Sequence, residues 1–143
     1  MFGRFRRRTN PAPPRVTEVA ATMLAPEVEV HVVGTSQYQP ALRRAVEQWS
    51  AEHYAAPGRR IEGSAFLVRE PTNRHDPEAV QVYLGGIGPA GYLARDDARA
   101  YRPGLRQLAR EGKLAACEAL IIGGREAGHN YGMIVYLPDP GGD

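Results

Sequence analysis

The sequence predicts a mostly β domain, a small barrel of about six short strands with two or three helices packed at its side. Three features point there. Residues 27–33, EVEVHVV, alternate strictly, with Val28, Val30 and Val32 on one face and Glu27, Glu29 and His31 on the other, the period of a half-buried strand. Further short apolar runs at 65–68, 79–84, 91–93, 114–122 and 133–137 are separated by stretches of Gly, Pro, Asn and Asp, the residues that turns demand. Helical spacing replaces this pattern only at 40–54 and in the segment 95–112. Short strands with regular turn signals suit closure into a barrel.

Taken in order, the chain begins with residues lacking apolar periodicity. Residues 1–24 are expected to form a mobile, Pro-rich basic arm ahead of a domain at 25–138 and a short tail at 139–143. Arg4, Arg6, Arg7 and Arg8 can neutralise phosphates while Phe2 and Phe5 stack on exposed bases, although such a charge run also serves as a plain solvated tail. After the first strand, Gly34 opens a GTSQY loop. Pro40 suits the first turn of a helix in which Leu42, Ala45, Val46, Trp49 and His53 recur on one side. Arg43, Arg44, Glu47 and Glu52 make the other side a solvated face of mixed sign, and Trp49 belongs to the core stripe rather than to a base-stacking platform.

Residues 65–84 read as strand, tight turn, strand. Pro71, Asn73, Asp76 and Pro77 crowd into the turn, where proline fixes φ and the Asn and Asp side chains satisfy backbone donors two residues on. The turn is therefore stiff and holds His75 and Asp76 outward. The glycine-rich 84–90 stretch has no Walker lysine and no helix-opening Ser or Thr, so it is a hairpin turn and not a phosphate loop. A helical segment is expected at 95–101. Pro103 is expected to start a second one, with Leu105, Leu108 and Ala109 inward and Gly112 past its end.

Composition narrows the function classes. The chain of 143 residues is one domain's worth, and 18 basic against 16 acidic residues leave a net charge of only +2, too little by itself to announce nucleic acid or a membrane surface. All the basic residues but one are Arg, a bias that favours bidentate phosphate contacts and that a GC-rich genome also produces. The single cysteine, Cys117, excludes an intramolecular disulfide and a cysteine-built zinc site and is expected to be a small core residue. No apolar run approaches the roughly 20 residues of a membrane span, and a cytoplasmic location is the expectation.

REPTNRHDPEAVQV, followed by GYLARDDA and preceded by VVGTSQYQPAL, resembles the HIRAN domain, a module found at the front of some fork-remodelling helicases and as free-standing bacterial proteins. The resemblance runs from about Val30 to Leu137, and the VGTSQYQ wording is nearest the free-standing form. It implies a barrel related to the OB fold. It also implies a pocket for the free 3′ end of single-stranded DNA, in which a carboxylate accepts a hydrogen bond from the terminal hydroxyl, aromatic rings sandwich the last bases and a basic side chain holds a phosphate.

Carried over by position, Asp76 matches the carboxylate, an acceptor that favours a hydroxyl and repels a phosphate. His75 stands where helicase-borne members have Tyr, Asn73 braces the turn, and Tyr92 and Arg95 stand near the family's ring and basic contact. In the first loop those members place an Arg and two adjacent aromatics, and this chain has Ser36, Gln37 and Tyr38. Losing one base stack, at about 1–3 kcal/mol, makes binding one or two decades weaker the expectation.

The implied function is binding of single-stranded nucleic acid, DNA before RNA, in repair, replication-fork or mobile-element contexts, with no cofactor, no metal, no catalytic residue and no membrane. Two other classes remain open. An adaptor for a separately encoded helicase or nuclease would dock through an exposed apolar patch on the 40–54 helix. A metal-dependent hydrolase would draw on His31, His53, His75, His129, Glu70 and Asp76, but these form no HxxxH, HExxH or nucleophile-elbow pattern.

Overall fold

The computed structural model describes residues 20–53, 61–123 and 130–141, the side chains of 51–53 excepted. Seven strands are β1 (Ala20–Met23), β2 (Val28–Val33), β3 (Ile61–Arg69), β4 (Val80–Leu84), β5 (Gly88–Leu93), β6 (Lys113–Gly123) and β7 (Tyr131–Leu137). Two helices, α1 (Gln39–His53) and α2 (Arg95–Arg110), follow β2 and β5. Six strands close into an antiparallel barrel in the order β6-β3-β4-β5-β2-β7, with β7 returning to β6.

Closure gives each strand of the barrel an inside and an outside. Val30 and Val32 of β2, Val80, Val82 and Leu84 of β4, and Met133, Val135 and Leu137 of β7 are buried. Their neighbours Gln81, Tyr83 and Tyr136 are only partly covered. At about 1.5–3 kcal/mol for each large aliphatic side chain taken out of water, this shared interior is the main stabilising term.

The barrel wall of β3 and β6 is lined by small residues, Gly63, Ala65, Ala115, Cys117 and Ala119. Leu42 and Trp49 of α1 join that core. The Trp49 ring lies flat on Gly63, where an added Cβ would stand 2.3 Å from ring carbons. Cys117 is fully buried, and burial pushes its thiol up to about 12, as befits an inert core residue.

Two expectations are corrected. The arm was expected to run through residue 24, yet Ala20–Met23 pairs in parallel with Lys113 to Ala116 of β6, and the Leu24 amide bonds the Ala116 carbonyl at 2.8 Å. Exposed on most of its positions, β1 has no apolar alternation to betray it; backbone bonds alone define it. Two helices were expected around Pro103, whereas α2 runs through it unbroken. Pro103 is exposed, and Ala98, Tyr101, Leu105 and Leu108 keep one inward stripe on both sides of it. Packing of that stripe offsets the one intrahelical bond and the steric clash that proline costs, about 3 kcal/mol.

The Tyr101 hydroxyl donates to the Pro138 carbonyl at 2.5 Å, fastening α2 to the end of β7. The tail begins bound as well: the Asp139 amide donates to Glu27 Oε1 at 2.8 Å. Arg4, Arg6, Arg7, Arg8 and His129, and the side chain of His53, lie outside what the structure describes.

Gly63→Ala is expected to destabilise the protein by roughly 1–3 kcal/mol, because Trp49 has to leave its seat. Trp49 is the sole tryptophan, so its emission during denaturant unfolding reads both the midpoint and the environment of the ring. A variant with unaltered midpoint and emission would show that the ring is not packed on the strand.

Candidate nucleic-acid interface

The 70–79 turn joins β3 to β4, and its conformation is held by side chains that its own sequence supplies. The Glu70 amide bonds the Ala79 carbonyl and closes the base of the turn at 3.0 Å. Asn73 Oδ1 accepts from the His75 and Asp76 amides at 2.9 and 3.1 Å, while its Nδ2 donates to Glu70 Oε1 at 2.9 Å. Asp76 Oδ1 accepts from the Glu78 amide at 3.0 Å. Both roles expected of a stiff Asn/Asp turn are filled, and the second Asp76 oxygen has no hydrogen bond among the described residues. Arg102 of α2 then pairs with Glu78 at 3.3 Å and docks the turn against the helix.

Between this turn, β5 and the first turn of α2 lies an open cavity of about 360 Å³. Asn73, His75, Asp76, Tyr92 and Arg95 line it, with Ala79, Leu93 and Ala98 as its apolar floor. Five of the eight residues singled out in the sequence thus meet in one place, although they come from three elements. Arg95 is exposed and makes no ion pair among the described residues; Asp96 beside it pairs with Arg99 instead, at 3.6 Å.

A second cavity of about 330 Å³ adjoins the first, lined by Arg69, Glu70, Pro71 and Thr72, and the two share Asn73 and Tyr92. Tyr92 is the partition. Burial raises its phenol to about 12; Glu70 and Tyr38 beside the hydroxyl add to the rise, and the hydrogen bond from Gln81, 3.4 Å long, opposes it. Tyr38 lines neither cavity, and its link to the site is its influence on the Tyr92 phenol. Ser36 and Gln37 are exposed on a single 3-10 turn, Thr35–Gln37, and line neither cavity.

Two residues that position this site escaped the sequence reading. Gln39 donates to the Thr35 and Tyr131 carbonyls at 2.9 and 3.0 Å and accepts from the Tyr131 amide at 2.8 Å, pinning the Tyr38 turn to β7. Gly91, at φ 155, lets β5 slide against β2: a Cβ there would come within 2.6 Å of the Val33 carbonyl oxygen. Neither residue carries local periodicity, and each matters only because of what the fold places opposite it. His31 is exposed on β2, and among the described residues no group of three or more His, Cys, Asp or Glu side chains gathers to hold a metal. No described helix is long and apolar enough to cross a membrane.

A closed barrel with a polar, aromatic-walled cavity at a rigid turn defines a small single-barrel binding module. The chain belongs to the HIRAN domain family, whose model matches residues 26–136. HIRAN is a binding domain and not itself a catalytic one, which makes this chain a nucleic-acid-binding, DNA-binding module. No curated protein matches the chain. A protein of known crystal structure from Lactobacillus plantarum is 20% identical, with 76% of this chain and 89% of that one covered at a TM-score of 0.39, a likeness too loose to carry an argument.

The raised Tyr92 value has a definite sign. A phenol held neutral in the fold contributes stability that is complete below its unfolded value near 10 and is lost as pH rises from there through about 12. Ultraviolet titration of phenolate formation should show a late-ionising tyrosine that is missing from Tyr92→Phe. A difference between the two proteins confined to pH near 10 would contradict the buried placement.

Proposed function

We propose that this protein captures the free 3′ end of single-stranded DNA in the cavity between the 70–79 turn and the start of α2. The observation that carries the reading is the convergence of Asn73, His75, Asp76, Tyr92 and Arg95 on that one cavity. One Asp76 oxygen is spent on the turn, and the other accepts the terminal hydroxyl. A 3′-phosphate in the same place meets like charge without a donor. His75, exposed at the rim, stacks on the last base, and Tyr92 backed by Tyr38 forms the opposite wall. Arg95, which makes no ion pair among the described residues, holds a backbone phosphate. Ser36 and Gln37 flank Tyr38 and meet the strand only outside the cavity.

The chain acts by binding and leaves chemistry to a separately encoded helicase or nuclease at damaged forks or mobile elements. Bases enter by their faces, so RNA is an alternative ligand that direct comparison resolves. A docking role for α1 lacks support in the described residues: Leu42, Ala45 and Trp49 are buried, and no large apolar side chain of that helix is exposed there.

Asp76→Asn keeps an acceptor for the Glu78 amide and removes the charge. Fluorescence anisotropy with one labelled oligonucleotide, ended in 3′-OH or 3′-phosphate or annealed as a blunt duplex, is expected to show wild-type preference for the 3′-OH single strand. The hydroxyl-to-phosphate ratio should fall toward unity in the variant. Undiminished discrimination by Asp76→Asn would remove Asp76 from the pocket.

The basic arm, outside the described residues, is assigned sequence-blind attraction. Deleting residues 1–14 should weaken binding and flatten its salt dependence, since fewer counterions are released. An unaltered salt slope would make Arg4, Arg6, Arg7 and Arg8 bystanders.

A further inference from the structure

The outer face of the sheet beside the cavity carries side chains that neither the core nor the end pocket uses. Phe66 on β3 and Tyr83 on β4 stand directly opposite each other. Both are half-buried and outside the core, whereas their chain neighbours Ala65, Leu67, Val82 and Leu84 point inward. Across β6 the same row continues through Ala116 to Met23 on β1. The edge of the Phe66 ring sits against Gly85, where a Cβ would come within 2.9 Å of a ring carbon, so the missing side chain leaves room for the ring. The Tyr83 hydroxyl has no hydrogen bond among the described residues.

The next row leads to the cavity. Val68, Gln81, Tyr92 and Val33 lie opposite one another in turn across β3, β4, β5 and β2. Gln81 donates to the hydroxyl of Tyr92, the ring that partitions the two cavities. Tyr83 is two residues, roughly 7 Å, along β4 from Gln81. Met23 and Val33, 54% and 43% exposed, mark the corners of this face and are two of the three exposed large apolar side chains among the described residues. No member of either row is charged.

We infer that this face is a stacking platform for the internal nucleotides of the bound strand, which leave the end cavity over Tyr92 and lay their bases on Tyr83 and Phe66. The inference rests on the end-capture reading for the strand's starting point. Single-stranded nucleic acid is the occupant because the strip is continuous with the Tyr92 wall in a nucleic-acid-binding domain. Two rings on adjacent strands also offer π surfaces that accept any base, while uncharged neighbours leave the phosphates turned to solvent. Mixed sequences are accordingly expected to bind alike.

The test uses the full chain and labelled 3′-OH oligothymidylates ranging from the dinucleotide to several nucleotides. Tyr83→Ser and Phe66→Leu each remove a ring, the second while keeping apolar packing. Wild-type affinity should rise with length, and each variant should lose about tenfold on the long strand. Dinucleotide affinity and the hydroxyl-to-phosphate ratio should stay unchanged. Photo-crosslinking of the long strand should map to peptides containing Tyr83 or Phe66.

A length gain undiminished in both variants, or absent from the wild type, overturns the platform. So does a concentration-dependent dimer that Tyr83→Ser abolishes without affecting the strand, which would make a second copy the occupant. Ring-dependent length gain in a protein that ignores the 3′ terminus would uphold the platform and sink end capture alone, so the two failures are distinguishable.

Discussion

Pairing along both edges of β6 is the constraint on which the rest of the molecule depends. One edge of this strand follows β3 from Ile61 to Leu67. The other is divided, with its first residues joined in parallel to β1 and its later ones, from Glu118 to Gly123, joined to β7. The β7 pairing closes the sheet, and closure gives every strand a dry side. Without it β6 and β7 would be open edges with unsatisfied backbone groups, and the inward Ala, Val, Leu and Met side chains would have no common interior. The small residues on β3 and β6 leave room that α1 fills with Trp49, so the helix is part of the closure and not an ornament on it.

From that frame the candidate site inherits rigidity. The turn between β3 and β4 is spanned by bonds from Asn73 and Asp76, closed at its base by the Glu70 amide, and tied to α2 through Arg102 and Glu78. Its polar side chains are therefore presented with little conformational entropy left to lose on binding, the usual advantage of a preorganised site. The Tyr38 turn is fixed separately, by the three hydrogen bonds of the Gln39 amide. The braced turn and the Tyr38 loop both approach Tyr92, whose ring divides the two cavities.

Much of this was legible in order along the chain, and the exceptions share one cause. Alternation placed β2 and its inner face, apolar runs placed β4 and β7, helical spacing placed the buried side of α1, and the Asn, Asp and Pro content of the 70–79 segment announced a stiff turn. β1 looks like part of the arm in the sequence because a mostly exposed edge strand needs no apolar pattern. Pro103 looks like a boundary in the sequence because its local preference is to start helices, and the stripe from Ala98 to Leu108 overrides that preference only when there is a barrel to pack against. Phe66 and Tyr83, unremarkable in their own segments, become a pair only through the register of β3 on β4.

The sequence by itself determined which side of β2 and of α1 is apolar, where the chain must turn, and, through its motif, which family the domain joins. Only the tertiary structure decided that residues 20–23 form a strand, that α2 is continuous, that Tyr38 bears on the site through the Tyr92 phenol, and that Asp76 and Arg95 share a cavity. The division has a physical basis. Periodicity and turn chemistry act over a few neighbouring residues, whereas these decisions arise from strand pairing and burial between segments far apart in the chain, which no segment encodes alone.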